Sequence, residues 1–231
     1  MKKEYAQELV IRVKKNYSLI AKDFSRTRRD PWPEIKFLFQ DYLSPNNKVL
    51  DLGCGNGRYF SFFQESRVEY LGIDSCEALI DIAKRKHPQA QFQTGSALSL
   101  PFSNNFFNNI YSIAVLHQVP SELLRLQFLK EVKRTLKPKG TIILTVWRLH
   151  RFRDLFRLVK PTLLRLVGLS RVEWRDAFIP WGKKTKRYYH YFSKPELERL
   201  VLKAGLRIKK SGVVKNKRGN RQNIYIVAEK I

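Results

Sequence analysis

Residues 49–57 read Val49-Leu50-Asp51-Leu52-Gly53-Cys54-Gly55-Asn56-Gly57, with glycine at every second position after an apolar, strand-like run. Glycine there permits a tight turn and lets a ligand approach the backbone with no Cβ in the way. A strand that leads through such a turn into a helix is the setting in which a nucleotide-type ligand is held. The dinucleotide fingerprint needs a third glycine three residues after Gly55; that position is Arg58, so the nicotinamide reading fails on spacing. Asp74 ends the next strand-like run, 23 residues after Asp51, where a carboxylate can accept hydrogen bonds from a ribose diol. Glycine turns after strands are common by themselves. Asp51 before the loop and Asp74 after the following strand make this one specific.

The elements that would carry these residues alternate. Strands are expected over 48–53, 69–74, 90–95, 108–115 and 141–147, with helices over 57–65, 77–86 and 121–136, the last closed by Lys137-Pro138-Lys139-Gly140. Before them, Leu9, Val13, Tyr17, Ile20 and Phe24 recur at helical spacing and predict one or two helices over 5–24. After Trp147 the alternation stops until about residue 192. A helix over 194–204, with Gly205 as its C-cap, then leads to strands over 206–214 and 223–229 joined by a charged turn. Strand–helix alternation predicts an α/β fold: a mostly parallel seven-stranded sheet with helices on both faces, its closing hairpin adding an antiparallel final strand. The chain is expected to be a single domain over 1–231. Its parts are a helical extension (1–47), a cofactor-binding core (48–147), a basic insertion (148–192), and a helix and strand pair completing the sheet (193–231).

The chain has 231 residues, 43% of them hydrophobic and 13% aromatic, which suits one folded domain and excludes overall disorder. No apolar run approaches the ~20 residues of a membrane-spanning helix. Cys54 and Cys76 are too few for a disulfide framework or a four-thiolate zinc site, and no metal is expected. The charged start, Met1-Lys2-Lys3-Glu4, has no apolar signal core behind it, so the expected location is cytoplasmic. The net charge of +25 is unevenly spread. Residues 1–60 hold 12 basic and 7 acidic side chains, 61–140 hold 10 and 7, and 141–231 hold 23 and 6, giving +5, +3 and +17. A cationic face on an ordinary core attracts polyanions, above all nucleic acid. A proteome rich in Lys and Arg, or anionic lipid, fits the charge as well.

The loop at 51–57 with Asp74 resembles that of the class I S-adenosylmethionine-dependent methyltransferases, whose sheet is Rossmann-like. The similarity runs over about 48–147. It implies S-adenosyl-L-methionine as cofactor, with Asp51, Gly53, Gly55 and Gly57 around its methionine end, Asp74 on the ribose, and Gly95-Ser96-Ala97 bordering the adenine. Tyr17, Ser75 and Ile113 join that set. The chain departs from the family pattern at Ser96 and Asn109, where Asp is usual, and at Lys139, where Gly is usual.

Three further segments narrow the resemblance: Tyr17 through Phe24-Ser25-Arg26-Thr27-Arg28 with Trp32-Pro33; Ile113-Ala114-Val115-Leu116-His117; and Phe178-Ile179-Pro180-Trp181 with Arg187-Tyr188-Tyr189-His190. In this order they are similar to the transfer-RNA wobble-uridine methyltransferases that esterify 5-carboxymethyluridine, across nearly the whole chain. Gln118 stands where that family has a second His. The resemblance implies tRNA as partner and a small activator subunit as in eukaryotic relatives. A carboxylate acceptor is already nucleophilic at neutral pH, so the protein has to position it and exclude water. Arg28, His117, Arg187 and His190 are the candidate catalytic residues. Arg26, Trp32, Trp147, Trp181 and Tyr188 are the candidate substrate contacts, through charge and base stacking. His117 reads equally as a structural residue, Trp147 also fits a core position, and one of Tyr188 and Tyr189 belongs to the core. His87, before Pro88, reads as surface. Basic amphipathic helices over 151–172 fit an RNA-gripping lid, a membrane-surface contact, or an ordinary packed helix; membrane contact is set aside. Two other functions remain open: methylation of a small carboxylate, phenol or quinone-like acceptor, and a non-catalytic RNA-binding scaffold.

Overall fold

The computed structural model describes residues 1–148, 163 and 170–231. Most of the basic amphipathic segment expected over 151–172 therefore lies outside the described residues. The N-terminal stretch is one helix, α1 (Lys3–Thr27), which buries Leu9, Tyr17, Ile20 and Ala21 along one face. A single 3-10 turn (Pro33–Ile35) and a short helix, α2 (Phe37–Gln40), follow it within the helical extension expected over 1–47. The core then alternates as β1 (Lys48–Leu52), α3 (Phe60–Glu65), β2 (Glu69–Asp74), α4 (Glu77–Lys86), β3 (Gln91–Thr94), β4 (Phe107–Ile113), α5 (Glu122–Thr135) and β5 (Leu136–Trp147). After the undescribed residues come β6 (Asp176–Trp181), β7 (Thr185–His190), α6 (Lys194–Lys203), β8 (Leu206–Lys215) and β9 (Gln222–Lys230).

Seven strands form one sheet in the order β3-β2-β1-β4-β5-β9-β8, with β9 alone running opposite to the other six. Apolar clusters cover both faces. On one, Phe128, Leu129 and Val132 of α5 and Leu197 and Val201 of α6 pack on the strands. On the other lie Ile35, Leu38, Phe39 and Phe63. Two boundaries differ from expectation. The helix after the glycine loop begins at Phe60 rather than at 57, because Gly57 still holds φ +72°. The 137–140 segment does not simply precede β5. The strand already pairs at Leu136 with Phe107, then slips register before Thr141 meets Asn109, and Lys139 takes φ +60° in the slip.

The described end of the insertion, beyond the segment where helices were expected, holds two strands. β6 and β7 form a separate two-stranded antiparallel hairpin, with Ile179 opposite Arg187 and Trp181 opposite Thr185. Side chains alternate across a strand, so Arg187 and Tyr189 share one face of β7 while Tyr188 and His190 share the other.

Candidate active site

A cleft of about 1260 Å³, part of it open to solvent, lies over the carboxyl ends of β1, β2, β4 and β5. This is the switch point of the strand order, where open α/β sheets hold ligands. Its floor is the loop after β1. Gly53 (φ +81°) turns back so that its N–H donates to the Ile73 carbonyl at 2.7 Å, and a Cβ there would sit 2.3 Å from Val115 Cγ2. At Gly55 (φ +56°) a Cβ would meet only Phe24, at 3.7 Å. The Asn56 amide donates to Ser25 Oγ and the Arg28 carbonyl, both at 3.1 Å, and so ties this loop to the end of α1.

Asp74 lines the cleft at the end of β2. Its Oδ2 accepts from Gly55 N–H (3.0 Å) and its Oδ1 from Cys76 N–H (2.8 Å). With about four acceptor sites on a carboxylate, Asp74 keeps capacity to accept from a ribose hydroxyl. Burial raises the Asp74 pKa, against those backbone bonds. Ser75, Ser96, Ala97, Tyr17 and Ile113 line the same cleft, with Leu79 and Leu98 as apolar walls. These residues fit S-adenosyl-L-methionine: a carboxylate for the ribose, a Cβ-free floor at Gly55, and a partly apolar slot for the base.

The opposite end is cationic and aromatic. His117, Trp147 and Tyr189 stack with ring centroids 4.8–5.3 Å apart and interplanar angles of 15–29°. The Trp147 backbone N–H donates to His117 Nδ1 at 3.3 Å, while Nε2 is buried with no partner. Burial, then Arg187 and His190, pushes the His117 pKa down to about 3. Arg187 is buried over the Trp181 ring (4.5 Å) and the Tyr189 ring (5.0 Å), with Nη1 3.4 Å from the Tyr17 hydroxyl and Nε unpartnered. Arg28 lies 5.6 Å from Trp181, and burial together with Arg58 and Arg187 lowers its pKa. Among the described lining residues Asp74 is the one carboxylate.

Several residues named from the sequence stand elsewhere. Asp51 is buried behind the loop, accepting from the Tyr70 hydroxyl at 3.1 Å, and burial lifts its pKa to about 7. Gly57 faces α4 and β3, where a Cβ would press on His87, Phe92 and Ala83. His87 is half-buried against Phe60 (5.0 Å) rather than on the open surface. His190 points away from the cleft: Nδ1 is 2.8 Å from Asp176 and Nε2 2.7 Å from Glu196. Tyr188 also turns away and donates to Asp176 Oδ1 at 2.7 Å. Both corrections follow from alternation along β7. Tyr189 lines the cleft in place of Tyr188. Trp181 backs Arg187 without lining the cleft, and Arg26 lines an adjoining recess. Glu173, Asp176 and His190 bring ligating atoms within 4.8 Å of one another. Arg125, Tyr188 and Glu196 already engage them, as parts of a hydrogen-bonded network.

Sequence reading missed Arg58 as a site residue. It lines the cleft, sits 4.6 Å from the Trp32 ring, and leaves a buried Nη1 unpartnered. Its one signal was its place where a third glycine would stand. Gln118, in the second-His position, donates to the Ala114 carbonyl at 3.0 Å. Asn109 makes bonds to Asn47, Tyr42 and Thr141 inside the fold.

A family described as "Methyltransferase domain" matches residues 24–211. A Schizosaccharomyces pombe protein named tRNA (carboxymethyluridine(34)-5-O)-methyltransferase is 32% identical over all of both chains. The Arabidopsis thaliana protein of the same name is 34% identical over 77% of this chain and 42% of its own length. Among solved structures, a SAM-dependent methyltransferase from Methanosarcina mazei aligns with TM-score 0.72 at 25% identity, over 87% of this chain and 99% of that one.

Proposed function

Since the chain belongs to the methyltransferase-domain family and uses S-adenosylmethionine, we propose that it methyl-esterifies a carboxymethylated wobble uridine of tRNA. The observation that carries the acceptor's chemistry is the far end of the cleft. There Arg28, Arg187 and the unpartnered Nε2 of His117 converge with no carboxylate among the described residues beside them. A buried guanidinium, Arg187, and a half-buried one, Arg28, without a carboxylate beside them call for an anion to pair with. The tRNA is carried by the similarity to relatives named for that reaction.

The bound cofactor supplies an electrophilic methyl group on a sulfonium. The protein's own residues do the rest. Arg28 and Arg187 hold the acceptor carboxylate as a charged, geometrically fixed nucleophile, and their bonds to it are of the stronger, charge-assisted kind. Neutral His117 adds one N–H donor without a proton to lose. Trp147, backed by the buried Tyr189 ring, offers a π-face for an unstacked base, and the aromatic walls exclude water. A carboxylate acceptor is already ionised at neutral pH, so no general base is required. The small activator subunit implied by the resemblance, and the cytoplasmic location expected from the charged N-terminal residues, belong to the same reading.

The test is incubation with labelled cofactor and tRNA carrying 5-carboxymethyluridine, with and without an activator subunit, followed by nucleoside mass spectrometry. The expected product is a methyl ester at the wobble position that mild alkali removes. Label that appears only in small carboxylates, or survives alkali, would overturn the reading.

A further inference from the structure

Beside the cleft lies a second recess, lined by Arg26, Arg28, Arg29, Arg58 and Arg221 around Trp32. Arg28, Trp32, Arg58 and Trp147 line both spaces, so they form the wall between them. The five guanidinium groups are not equally committed. Arg221 is neutralised by Glu34, at 2.7 Å, and its guanidinium carbon lies 4.6 Å from the Trp32 ring centroid. Arg58 lies 4.6 Å from the same ring, has no carboxylate partner among the described residues, and keeps Nη1 buried and unbonded. Arg26 reaches Asp23 only at 3.8 Å, while Asp23 itself is held by Lys184. Asp30 is the sole carboxylate among the described residues lining the recess.

Such an arrangement is costly unless an anion completes it. An unbonded buried donor loses its water without replacement, and Arg28 and Arg58 repel one another. The backbone around them is fixed, because Asn56 pins the Arg28 carbonyl to the glycine loop. A strand whose target base enters the cleft beside Trp147 would have its neighbouring linkage at this wall.

We propose that this recess is a separate subsite that takes the phosphodiester next to the target nucleotide, with Arg58 as its inner donor and Arg26 and Arg29 at its rim. The proposal rests on the RNA reading above and adds which part of the RNA this surface grips and with which residues. It makes Arg58 a specificity-determining residue, favouring a nucleotide in a strand over the same base offered as a free nucleoside.

The experiment uses an anticodon stem-loop containing 5-carboxymethyluridine, with an uncharged methylphosphonate replacing, one at a time, the linkages flanking that uridine. Binding by fluorescence anisotropy and turnover are both read. In the wild type one replacement is expected to weaken binding and lower kcat/KM about tenfold, the size of one charged contact. In Arg58→Gln, and in the Arg26→Ala/Arg29→Ala double variant, the diester and methylphosphonate should differ by less than about threefold. Comparing the two RNAs within each variant cancels any effect on folding or cofactor affinity. A penalty absent from the wild type, or equally large in both variants, overturns the subsite. Binding that shows the expected coupling without methyl transfer would leave the subsite standing and sink the proposed reaction instead.

Discussion

At His117 the hydrogen bond from the Trp147 backbone assigns Nδ1 as acceptor, so the ring proton belongs on Nε2. The pKa of about 3 keeps this ring neutral throughout the working range. His117→Ala should therefore lower kcat/KM by about 10- to 100-fold, the size of one oriented donor, with cofactor affinity unchanged. The loss should be the same from pH 5 to pH 8; a loss that grows or shrinks around pH 6.5 would show a titrating imidazole. The same shift bears on stability. The folded ring resists protonation while the unfolded ring accepts it near pH 6.5. Its contribution is full above about pH 6.5 and drains away as the pH falls toward 3. Acid unfolding of His117→Gln should accordingly be less steep over that window than that of the wild type. The pairing of His117 with Arg28 and Arg187 was legible from residue types. Arg58 was not, because a lone arginine after a glycine turn reads as solvated until its surroundings are seen.

The elements decide which of several suitable residues reach the cleft. In β7 the four residues Arg187-Tyr188-Tyr189-His190 are all chemically eligible, and alternation delivers only Arg187 and Tyr189. Tyr188→Phe should cost about 1 kcal/mol of stability, one buried hydrogen bond to Asp176, and leave kcat/KM within about twofold. Tyr189→Ala should lower turnover at least tenfold as the His117–Trp147 stack loses its third ring. Reversed effects for the two tyrosines would mean that β7 faces the other way. The sequence showed the strand period here but not its partner, β6, so the choice between neighbouring tyrosines stayed open. The glycine loop is stricter. Gly53→Ala must fit a Cβ 2.3 Å from Val115 Cγ2 at φ +81°, and should cost about 2–4 kcal/mol. Val115→Ala should return part of that, the steric part, when melting temperatures of the single and double variants are compared.

Over the whole molecule, charge and fold were read from different signals. The core alternation was legible because buried parallel strands are apolar runs punctuated by glycine and proline. The hairpin at 176–190 was less so, since its aromatic and basic residues divide between the cleft, which takes Arg187 and Tyr189, and a buried network around Asp176. The +17 of residues 141–231 against +3 of residues 61–140 predicts that RNA and cofactor binding respond differently to salt. Between 50 and 200 mM salt, RNA affinity should fall at least tenfold through counterion release; cofactor affinity should change less than about twofold. Equal responses would detach the basic surface from RNA. The sheet carries one further consequence. β9 is the last strand in chain order, yet it lies inside the sheet, between β5 and β8. During synthesis the ribosome makes β8 before the strand that joins it to the sheet exists. The edge of β5, with Ile142, Leu144 and Val146, waits uncovered until residue 230 has emerged. A nascent chain stalled after β8 should thus be protease-sensitive and chaperone-bound, and the cleft beside Trp147 should form only in the last step of folding.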